Sequence, residues 1–263
     1  MPPAATPPHG PAAPVAGARP GVPAPAPARR DHGQAGPPGS AGAGTARDLA
    51  APDAAEAPAG PGGDGGTLLD RVGRWAPAAT PFGILRLAPL APLAPGDNLT
   101  LLTTWMNDPA VAAFWELAGP PATTAAHVHA QLSGDGRSVP CLGLLDGRPM
   151  SYWELYRADL DPLARHYPAR PHDTGVHLLL GGAADRGRGL GTALLRAVTC
   201  LVLAHRPRCA RVVAEPDVRN APSVAAFRRA GFHLDAEIDL PDKRAALMVR
   251  RRTTPMEPAP ARR

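Results

Sequence analysis

The chain has 263 residues, with 28 lysines and arginines against 23 acidic residues, a formal net charge of +5 and only 4% aromatic residues. The basic excess raises the possibility of nucleic-acid binding, but the scarcity of aromatic side chains that stack on bases argues against that class of protein. Nearly all of the basic residues are arginines, Lys243 being the one lysine, which indicates compositional bias and a solvated surface rather than a selected patch.

The first part of the chain lacks the residues that build a core. Residues 1–66 consist mainly of Pro, Ala and Gly, with no Ile, Phe or Trp and one leucine, Leu49. Such a segment buries too little apolar surface to offset the entropy lost on ordering, and its prolines favour extended, solvated conformations. We therefore predict a disordered extension over residues 1–79, one folded domain over residues 80–252 and a disordered tail over residues 253–263.

The cysteines and the apolar stretches bear on location. Cys141, Cys200 and Cys209 are odd in number and match no metal-binding or redox spacing, so we expect reduced thiols. The N-terminus shows no basic region followed by an apolar run, and no apolar stretch approaches the length of a membrane span. The sequence therefore predicts a cytoplasmic protein that has neither a membrane nor a nucleic acid as its partner.

Apolar periodicity in the first part of the domain predicts one strand and three helices. Asp97 or Asn98 is expected to cap the first helix, and Asn107-Asp108-Pro109 to end it and start the second. Thr123 or Thr124 is expected to cap the third helix. In chain order, the predicted elements are a strand over residues 82–87 and helices reaching residues 106, 115 and 132.

From residue 139 the pattern changes mainly to strands, and Asp146-Gly147 is a strong signal for a hairpin turn. The predicted strands cover residues 139–145, 150–156, 175–180, 211–215, 232–240 and 245–249. The predicted helices run from the glycine-rich segment at 186–191 to about residue 204, and from 222 to 230. This order predicts a mixed α/β (α+β) fold whose central, mostly antiparallel mixed sheet carries helices on both faces.

The strongest motif is the segment Arg186-Gly187-Arg188-Gly189-Leu190-Gly191, between a predicted strand and a predicted helix. Glycines allow a tight turn, free N–H groups at a helix start attract anions, and arginines add charge-assisted contacts. A diphosphate is the expected ligand. The segment lacks the Lys-Ser or Lys-Thr of a P-loop and the glycine spacing of a dinucleotide-binding fold. A turn that serves packing alone remains the alternative.

This segment resembles the acyl-CoA pyrophosphate loop of the GNAT N-acetyltransferases, (Gln/Arg)-x-x-Gly-x-(Gly/Ala). Asn220-Ala221-Pro222-Ser223, with Phe227 and Gly231-Phe232, is similar to the next strand–helix–strand unit of that superfamily. The resemblance implies a GNAT fold with acyl-CoA as co-substrate and without a metal. It also implies cofactor contacts from Leu179, Arg186, Gly187, Arg188, Gly189, Leu190, Gly191, Asn220 and Phe227.

Five further blocks resemble the siderophore-pathway lysine and N6-hydroxylysine acyltransferases of the aerobactin, mycobactin and desferrioxamine type. They are Trp105–Pro109 with Phe114-Trp115, Tyr152–Tyr156 with Tyr167, Asp173–Leu179, Glu215–Asn220 and Leu240–Ala245. The resemblance covers about residues 80–252. It implies acyl transfer from acyl-CoA or an acyl carrier protein to the terminal nitrogen of lysine, N6-hydroxylysine or an N-hydroxylated diamine, in a monomer or homodimer.

Two residues are candidates for the catalytic chemistry. His177 lies among apolar residues of a predicted strand, and from the residues alone a packed core histidine is the natural interpretation. The resemblance implies instead that His177 is the general base. Asp217 follows the predicted strand 211–215, where its carboxylate could orient His177 or the nucleophile, or serve only as a turn or cap.

Substrate contacts are predicted from another strand, on which Tyr152, Glu154 and Tyr156 share one face and Trp153 and Leu155 the other. Glu154 could bind the ammonium group of a lysine-like substrate, or be an ordinary solvent-facing charge. His127 and His129 lie two residues apart on a predicted helix and cannot share one face, so no metal site is predicted.

Two other functions compete with acylation of lysine or its hydroxylated analogues. One is 6′-N-acetylation of an aminoglycoside, which a strongly acidic substrate cleft would favour, and the sequence offers few carboxylates for one. The other is a CoA-binding module without turnover, against which the glycine-rich segment together with His177 and Asp217 argues.

Overall fold

A computed structural model of the chain describes residues 72–91 and 96–252. The predicted tail at 253–263 and most of the predicted extension lie outside the described residues. The described fold begins upstream of residue 80, the predicted start of the domain. Val72 is fully buried, and the Trp75 indole stacks on the His205 ring with centroids 5.3 Å apart. The burial of Val72 and the stacking of Trp75 place residues 72–79 in the folded domain, where the sequence predicted the end of the disordered extension.

Eight strands and five α-helices make up the described part of the chain. The strands are β1 Ala78–Thr80, β2 Gly83–Pro89, β3 Ser138–Leu145, β4 Arg148–Arg157, β5 Thr174–Leu180, β6 Arg211–Ala214, β7 His233–Asp239 and β8 Arg244–Arg251. The helices are α1 Asp97–Met106, α2 Pro109–Trp115, α3 Pro121–Leu132, α4 Leu190–His205 and α5 Ala221–Arg229. The predicted order of elements is confirmed, and β1 is the strand that the sequence did not reveal.

The strands form one sheet in the order β1-β2-β3-β4-β5-β6-β8-β7. Each neighbouring pair is antiparallel except β5 and β6, which run parallel. The predicted fold, a mostly antiparallel mixed sheet, is therefore confirmed. The β5–β6 pairing covers only Thr174 and Gly175 of β5. Beyond Gly175 these two strands diverge, and the divergence opens a fork in the middle of the sheet.

Helices cover both faces of this sheet, as predicted. On one face, α4 and α5 pack on a core that includes Trp153, Leu155 and Val176. On the other face, α1, α2 and α3 pack on a core that includes Tyr152 and Leu179. Because adjacent strand residues point to opposite faces, β4 contributes alternate side chains to the two cores.

Local signals explain most of the element ends. Asp146 and Gly147 both have positive φ angles, 48° and 81°, as the predicted hairpin turn between β3 and β4 requires. The Asp108 carboxylate caps α2 by accepting a hydrogen bond from the Ala110 N–H at 2.9 Å. The predicted cap of α1 is wrong, because Gly96 occupies that position and no side chain caps the helix. Helix α3 likewise begins at Pro121, upstream of the predicted threonine caps. No helix in the described ranges is both long and apolar enough to cross a membrane.

Candidate active site

The candidate site lies at the fork between β5 and β6. His177 lies two positions beyond Gly175, the last β5 residue that pairs with β6. Glu215 comes directly after the end of β6. Parallel strands expose their carboxyl ends at the same edge, so these two side chains reach the fork from its two arms. The divergence also leaves the part of β5 beyond Gly175 without a partner strand on the β6 side.

Strand register brings a second carboxylate to His177. In the β4–β5 pair, Glu154 lies directly opposite His177. The His177 Nδ1–H donates to Glu154 Oε2 at 2.8 Å, and its Nε2–H donates to Glu215 Oε1. Glu154 and Glu215 are 7% and 6% exposed, whereas the His177 side chain is 34% exposed. His177 is therefore neither a packed core residue nor a free base, but an accessible ring held between two buried carboxylates.

Helix α3 reaches this cluster through two polar side chains. The Glu154 Oε1 atom lies 2.5 Å from His127 Nε2 and accepts a hydrogen bond from Gln131 Nε2 at 2.7 Å. The Tyr152 hydroxyl donates to the same oxygen at 3.0 Å. The alternative that Glu154 is an ordinary solvent-facing charge is therefore wrong. The contact of His127 with Glu154 was not predicted, because it depends on the packing of α3 against β4, which the sequence alone does not specify.

The charges of this cluster shift one another. Burial alone would lower the pKa of His177, but the charge of Glu215 and the hydrogen bonds to Glu154 and Glu215 raise it to about 10. Burial would raise the pKa of Glu215, but the charge and hydrogen bond of His177 lower it to about 2. Hydrogen bonds from His127 and His177 likewise hold the pKa of Glu154 well below its ordinary value despite its burial. At neutral pH the site therefore holds an imidazolium between two carboxylates.

Aromatic rings wall this cluster. The Tyr156 ring lies 4.9 Å from the His177 ring, and the Tyr156 hydroxyl donates to Glu215 Oε2 at 2.7 Å. The half-buried Trp115 at the end of α2 stands edge-on to His177 at 6.1 Å. Gly175 is required here, because a Cβ at that position would lie 2.0 Å from the Tyr156 ring. The three predicted substrate residues thus share one face, as predicted, and two of them bond to carboxylates that hold His177.

Asp217 occupies a different place from the one predicted. Its carboxylate forms a two-pronged pair with the Arg219 guanidinium, at 3.0 Å from Nε and 2.6 Å from Nη2, and accepts the Arg219 backbone N–H at 2.7 Å. Glu154 and Glu215 engage both ring nitrogens of His177. The prediction that Asp217 orients His177 is therefore wrong in this structure. Glu215, directly after β6, contacts the His177 Nε2 atom, and Asp217 does not contact the ring. A direct role for Asp217 toward the nucleophile stays a prediction.

The glycine-rich segment has the geometry of an anion site. Gly187 and Gly189 have φ angles of 74° and 85°, and a Cβ on either would meet no atom within 4 Å. Gly189 is the N-cap of α4, and no side chain caps this helix end. The first N–H groups of a helix lack intrahelical partners, and no side-chain cap satisfies those of α4. The segment therefore has room for a ligand, and its binding of a diphosphate stays a prediction.

Arg186 is held by the protein itself. Its Nη1 lies 2.9 Å from Asp108 Oδ1, while Nη2 donates to the carbonyl oxygens of Leu180 at 3.2 Å and Gly181 at 3.1 Å. These contacts fix the loop to the end of β5 and to the start of α2. Arg188 is exposed and is the arginine of this segment that is free to turn toward an anion. Contact of either guanidinium with the cofactor stays a prediction.

Three other predicted cofactor residues have structural roles in this chain. Leu179 and Phe227 are 2% and 5% exposed and pack in the two cores, so their side chains offer little surface to a ligand. Asn220 caps α5 by accepting the Ser223 N–H at 3.1 Å. Their contacts with the cofactor also stay predictions. Among residues 72–91 and 96–252, no group of three or more potential metal ligands is found.

Comparison with known proteins matches residues 94–240 to the family model described as "Acetyltransferase (GNAT) domain". The chain is 36% identical to the N(6)-hydroxylysine O-acetyltransferase of Escherichia coli, over 59% of this chain and 49% of that protein, which is about half its length. It is 35% identical to the lysine N-acyltransferase MbtK of Mycobacterium tuberculosis, over 68% of this chain and 84% of that protein. Its fold resembles AAC(6')-Ib in complex with paromomycin and acetyl-CoA, with a TM-score of 0.55 and 26% identity over 64% of this chain and 93% of that one.

Proposed function

Because this chain belongs to the GNAT acetyltransferase family, we propose that it transfers an acyl group from acyl-CoA to the terminal nitrogen of lysine, N6-hydroxylysine or an N-hydroxylated diamine. The observation that carries the proposal is the joint placement of the His177 cluster and the α4 anion site at the β5–β6 fork. An acyl carrier protein is the other thioester donor that this reaction admits. We place the enzyme in the cytoplasm, where acyl-CoA is made and cysteines stay reduced.

The geometry supports direct transfer. The amine nitrogen attacks the thioester carbonyl carbon, the C–N bond forms, and collapse of the tetrahedral intermediate breaks the C–S bond and releases the CoA thiolate. N–H groups of the unpaired β5 edge are placed to stabilise the oxyanion. After attack the nitrogen is acidic, so a weak base suffices to take its proton.

The acceptor of that proton is Glu215 rather than His177 alone. With a pKa of about 10, His177 is already protonated at neutral pH and has no free ring nitrogen. Glu215 is anionic, and the imidazolium beside it compensates its charge. We therefore assign proton acceptance to the Glu215–His177 pair, with Glu154 as the second anion that holds the ring. This assignment modifies the prediction that His177 is the base by itself.

An acceptor panel tests the proposal. Acyl transfer from acetyl-CoA should be detected as thiol release with lysine, N6-hydroxylysine or N-hydroxycadaverine, and mass spectrometry should show the acyl group on the terminal nitrogen. With the hydroxylated amines the product is a hydroxamate, a chelator of ferric iron, which places the enzyme in siderophore biosynthesis. Glu154, Glu215 and Asp217 are engaged by His127, His177 or Arg219, and this argues against a cleft built for a polycationic aminoglycoside. Turnover of kanamycin and of none of the three amines would contradict the proposal.

The glycine-rich loop gives a prediction of its own. Replacing Gly189 with valine should weaken binding of acyl-CoA, because a β-branched residue does not adopt a φ of 85° and its side chain would fill the space beside the α4 N-terminus. The KM for acetyl-CoA should rise while the KM for the amine changes little. Calorimetric titration with CoA gives the affinity directly. The matched control is Gly136→Val, a glycine with a φ of 78° on the loop between α3 and β3; an equal loss of CoA affinity there would show general destabilisation.

A further inference from the structure

Two cationic side chains, Lys243 and Arg219, lie beside the carboxylates Glu215 and Asp217. The Lys243 Nζ atom is 3.9 Å from Glu215 Oε1, which is too far for a hydrogen bond, and the side chain is 22% exposed. Arg219 is 71% exposed, and it uses its Nε and Nη2 atoms on Asp217. Within residues 72–91 and 96–252, neither Lys243 Nζ nor Arg219 Nη1 has a hydrogen-bond acceptor. Both groups therefore keep donors for a ligand.

The backbone fixes these two cations next to each other. Lys243 closes the turn between β7 and β8 through its carbonyl, which accepts the Leu240 N–H at 2.8 Å. The next residue of that turn accepts the Val218 N–H at 3.0 Å, and Asp217 bridges to Ala245 in an antiparallel arrangement. The loop that carries Arg219 and the turn that carries Lys243 thus form one rim over the fork.

One exposed acidic residue lies near these cations. Glu116, directly after Trp115, is exposed and has a φ of 54°, an uncommon conformation for a residue with a Cβ. After the closer effect of Asp217, the charge of Glu116 also acts on Arg219 to raise its pKa. Glu116 therefore lies within electrostatic range of Arg219, and it directly follows Trp115, whose ring is edge-on to His177 at 6.1 Å.

A zwitterion complements these charges. Glu215 and Asp217 take their hydrogen bonds from His177 and Arg219, and Lys243 pairs with Glu215 only at 3.9 Å. The Lys243 ammonium and one end of the Arg219 guanidinium therefore keep hydrogen-bond donors at this rim. An α-amino acid carries a carboxylate and an ammonium on one carbon, whereas the far end of a diamine carries only an ammonium. The methylene chain of lysine separates that carbon from the reacting nitrogen, so the zwitterionic end comes to lie at the rim.

We propose that Lys243 and Arg219 form a subsite for the α-carboxylate of an amino-acid acceptor, and that this subsite makes the enzyme select N6-hydroxylysine or lysine over the corresponding decarboxylated diamines. This inference rests on the proposed acyl transfer and names its acceptor class. Glu116 is the exposed acidic residue near these cations that is available to the α-ammonium. The composition agrees with such a role: in a chain whose other basic residues are all arginines, the one lysine is a compact point charge at this site.

The test uses two acceptors that differ only by the carboxylate, N6-hydroxylysine and N-hydroxycadaverine, each with acetyl-CoA. The native enzyme should show a kcat/KM at least 10-fold higher for N6-hydroxylysine. Lys243→Met and Arg219→Met should each raise the KM for N6-hydroxylysine by about 10- to 100-fold, the worth of one hydrogen bond to a charged group. The KM for N-hydroxycadaverine should stay unchanged, because this acceptor never contacts the subsite.

Arg244→Met is the matched control. Arg244 is adjacent to Lys243 in the chain, but its guanidinium pairs with Glu237 on β7 at 2.9 Å. Its replacement therefore removes one positive charge, as Lys243→Met does, without changing the subsite. Native enzyme that acylates both hydroxylamines equally well, or variants that raise both KM values alike, would overturn the carboxylate subsite and leave acyl transfer intact. Absence of turnover with either hydroxylamine would overturn the proposed function and the subsite with it.

Discussion

Replacing His177 with alanine is expected to lower kcat by about 10²- to 10⁴-fold, the range that a positioned proton-transfer group supplies. Without the imidazolium, Glu154 and Glu215 become two buried carboxylates with no cation between them, and burial then raises their pKa values. The proton acceptor would be lost or misplaced. The loss should be larger for lysine than for N6-hydroxylysine, because the more basic amine depends more on having its proton removed. Steady-state kinetics with both amines measure this difference.

The pH dependence shows which group takes the proton. A neutral His177 would have to form first, so with His177 as base kcat should rise steadily toward pH 10. With Glu215 as proton acceptor and N6-hydroxylysine as substrate, kcat should be flat between about pH 7 and pH 9, because the pKa of Glu215 is about 2 and the hydroxylamine nitrogen, unlike the amine of lysine, is unprotonated in this range. A flat profile is the expected result. A tenfold rise in kcat per pH unit over this range would return the role of base to His177.

A stability measurement separates catalysis from folding. The pKa of His177 is raised from 6.5 to about 10, so its protonation stabilises the fold fully below pH 6.5, and this contribution is lost as the pH rises through 10. The difference in Tm between the native protein and His177→Gln should therefore shrink from neutral pH toward pH 10. His233→Ala, which removes an exposed histidine beside Asp235, is the control and should leave kcat unchanged. A His177 variant with normal kcat and a lower Tm would show a purely structural residue.

Much of the fold could be predicted because its signals are local. The turn at Asp146-Gly147, the proline that begins α2 and the glycines before α4 each determine backbone geometry within a few residues. Strand β1 escaped prediction for the opposite reason. Its three residues, Ala78–Thr80, carry no apolar alternation, and its place depends on pairing with β2 and on the burial of Trp75.

The site was predicted only in part, because its contacts join residues that are distant in sequence. The shared face of Tyr152, Glu154 and Tyr156 followed from strand alternation. The contact between Glu154 and His177 depends on the β4–β5 register, and the contact of Glu215 with His177 depends on the parallel pairing of β5 and β6. Both are long-range pairings that a motif does not encode. A charged residue at the end of a buried strand was the available signal for Glu215, and Asp217 two residues later obscured it.

Glu215→Gln and Asp217→Asn form the pair of variants that decides which carboxylate serves the reaction. Glu215→Gln should lower kcat by about 10²- to 10⁴-fold, because the amide cannot accept the proton and no longer compensates the imidazolium. Asp217→Asn should leave kcat within a few-fold of native, since the Asp217 carboxylate is engaged by Arg219 and lies outside the His177 contacts. The Asp217→Asn substitution should instead raise the KM for the amino-acid acceptor, because the native Asp217 carboxylate holds the Arg219 side chain in place and its loss frees that side chain.

Both substitutions remove one negative charge and change a single oxygen to nitrogen, so a difference between them reports position rather than charge. Glu237→Gln, which loosens the surface pair with Arg244, supplies the baseline for removing a carboxylate elsewhere. CoA affinity should be native in all three variants, because the α4 anion site is built from backbone groups. The opposite pattern, a large loss of kcat in Asp217→Asn and a small one in Glu215→Gln, would restore Asp217 as the catalytic carboxylate and require that its pair with Arg219 opens when substrate binds.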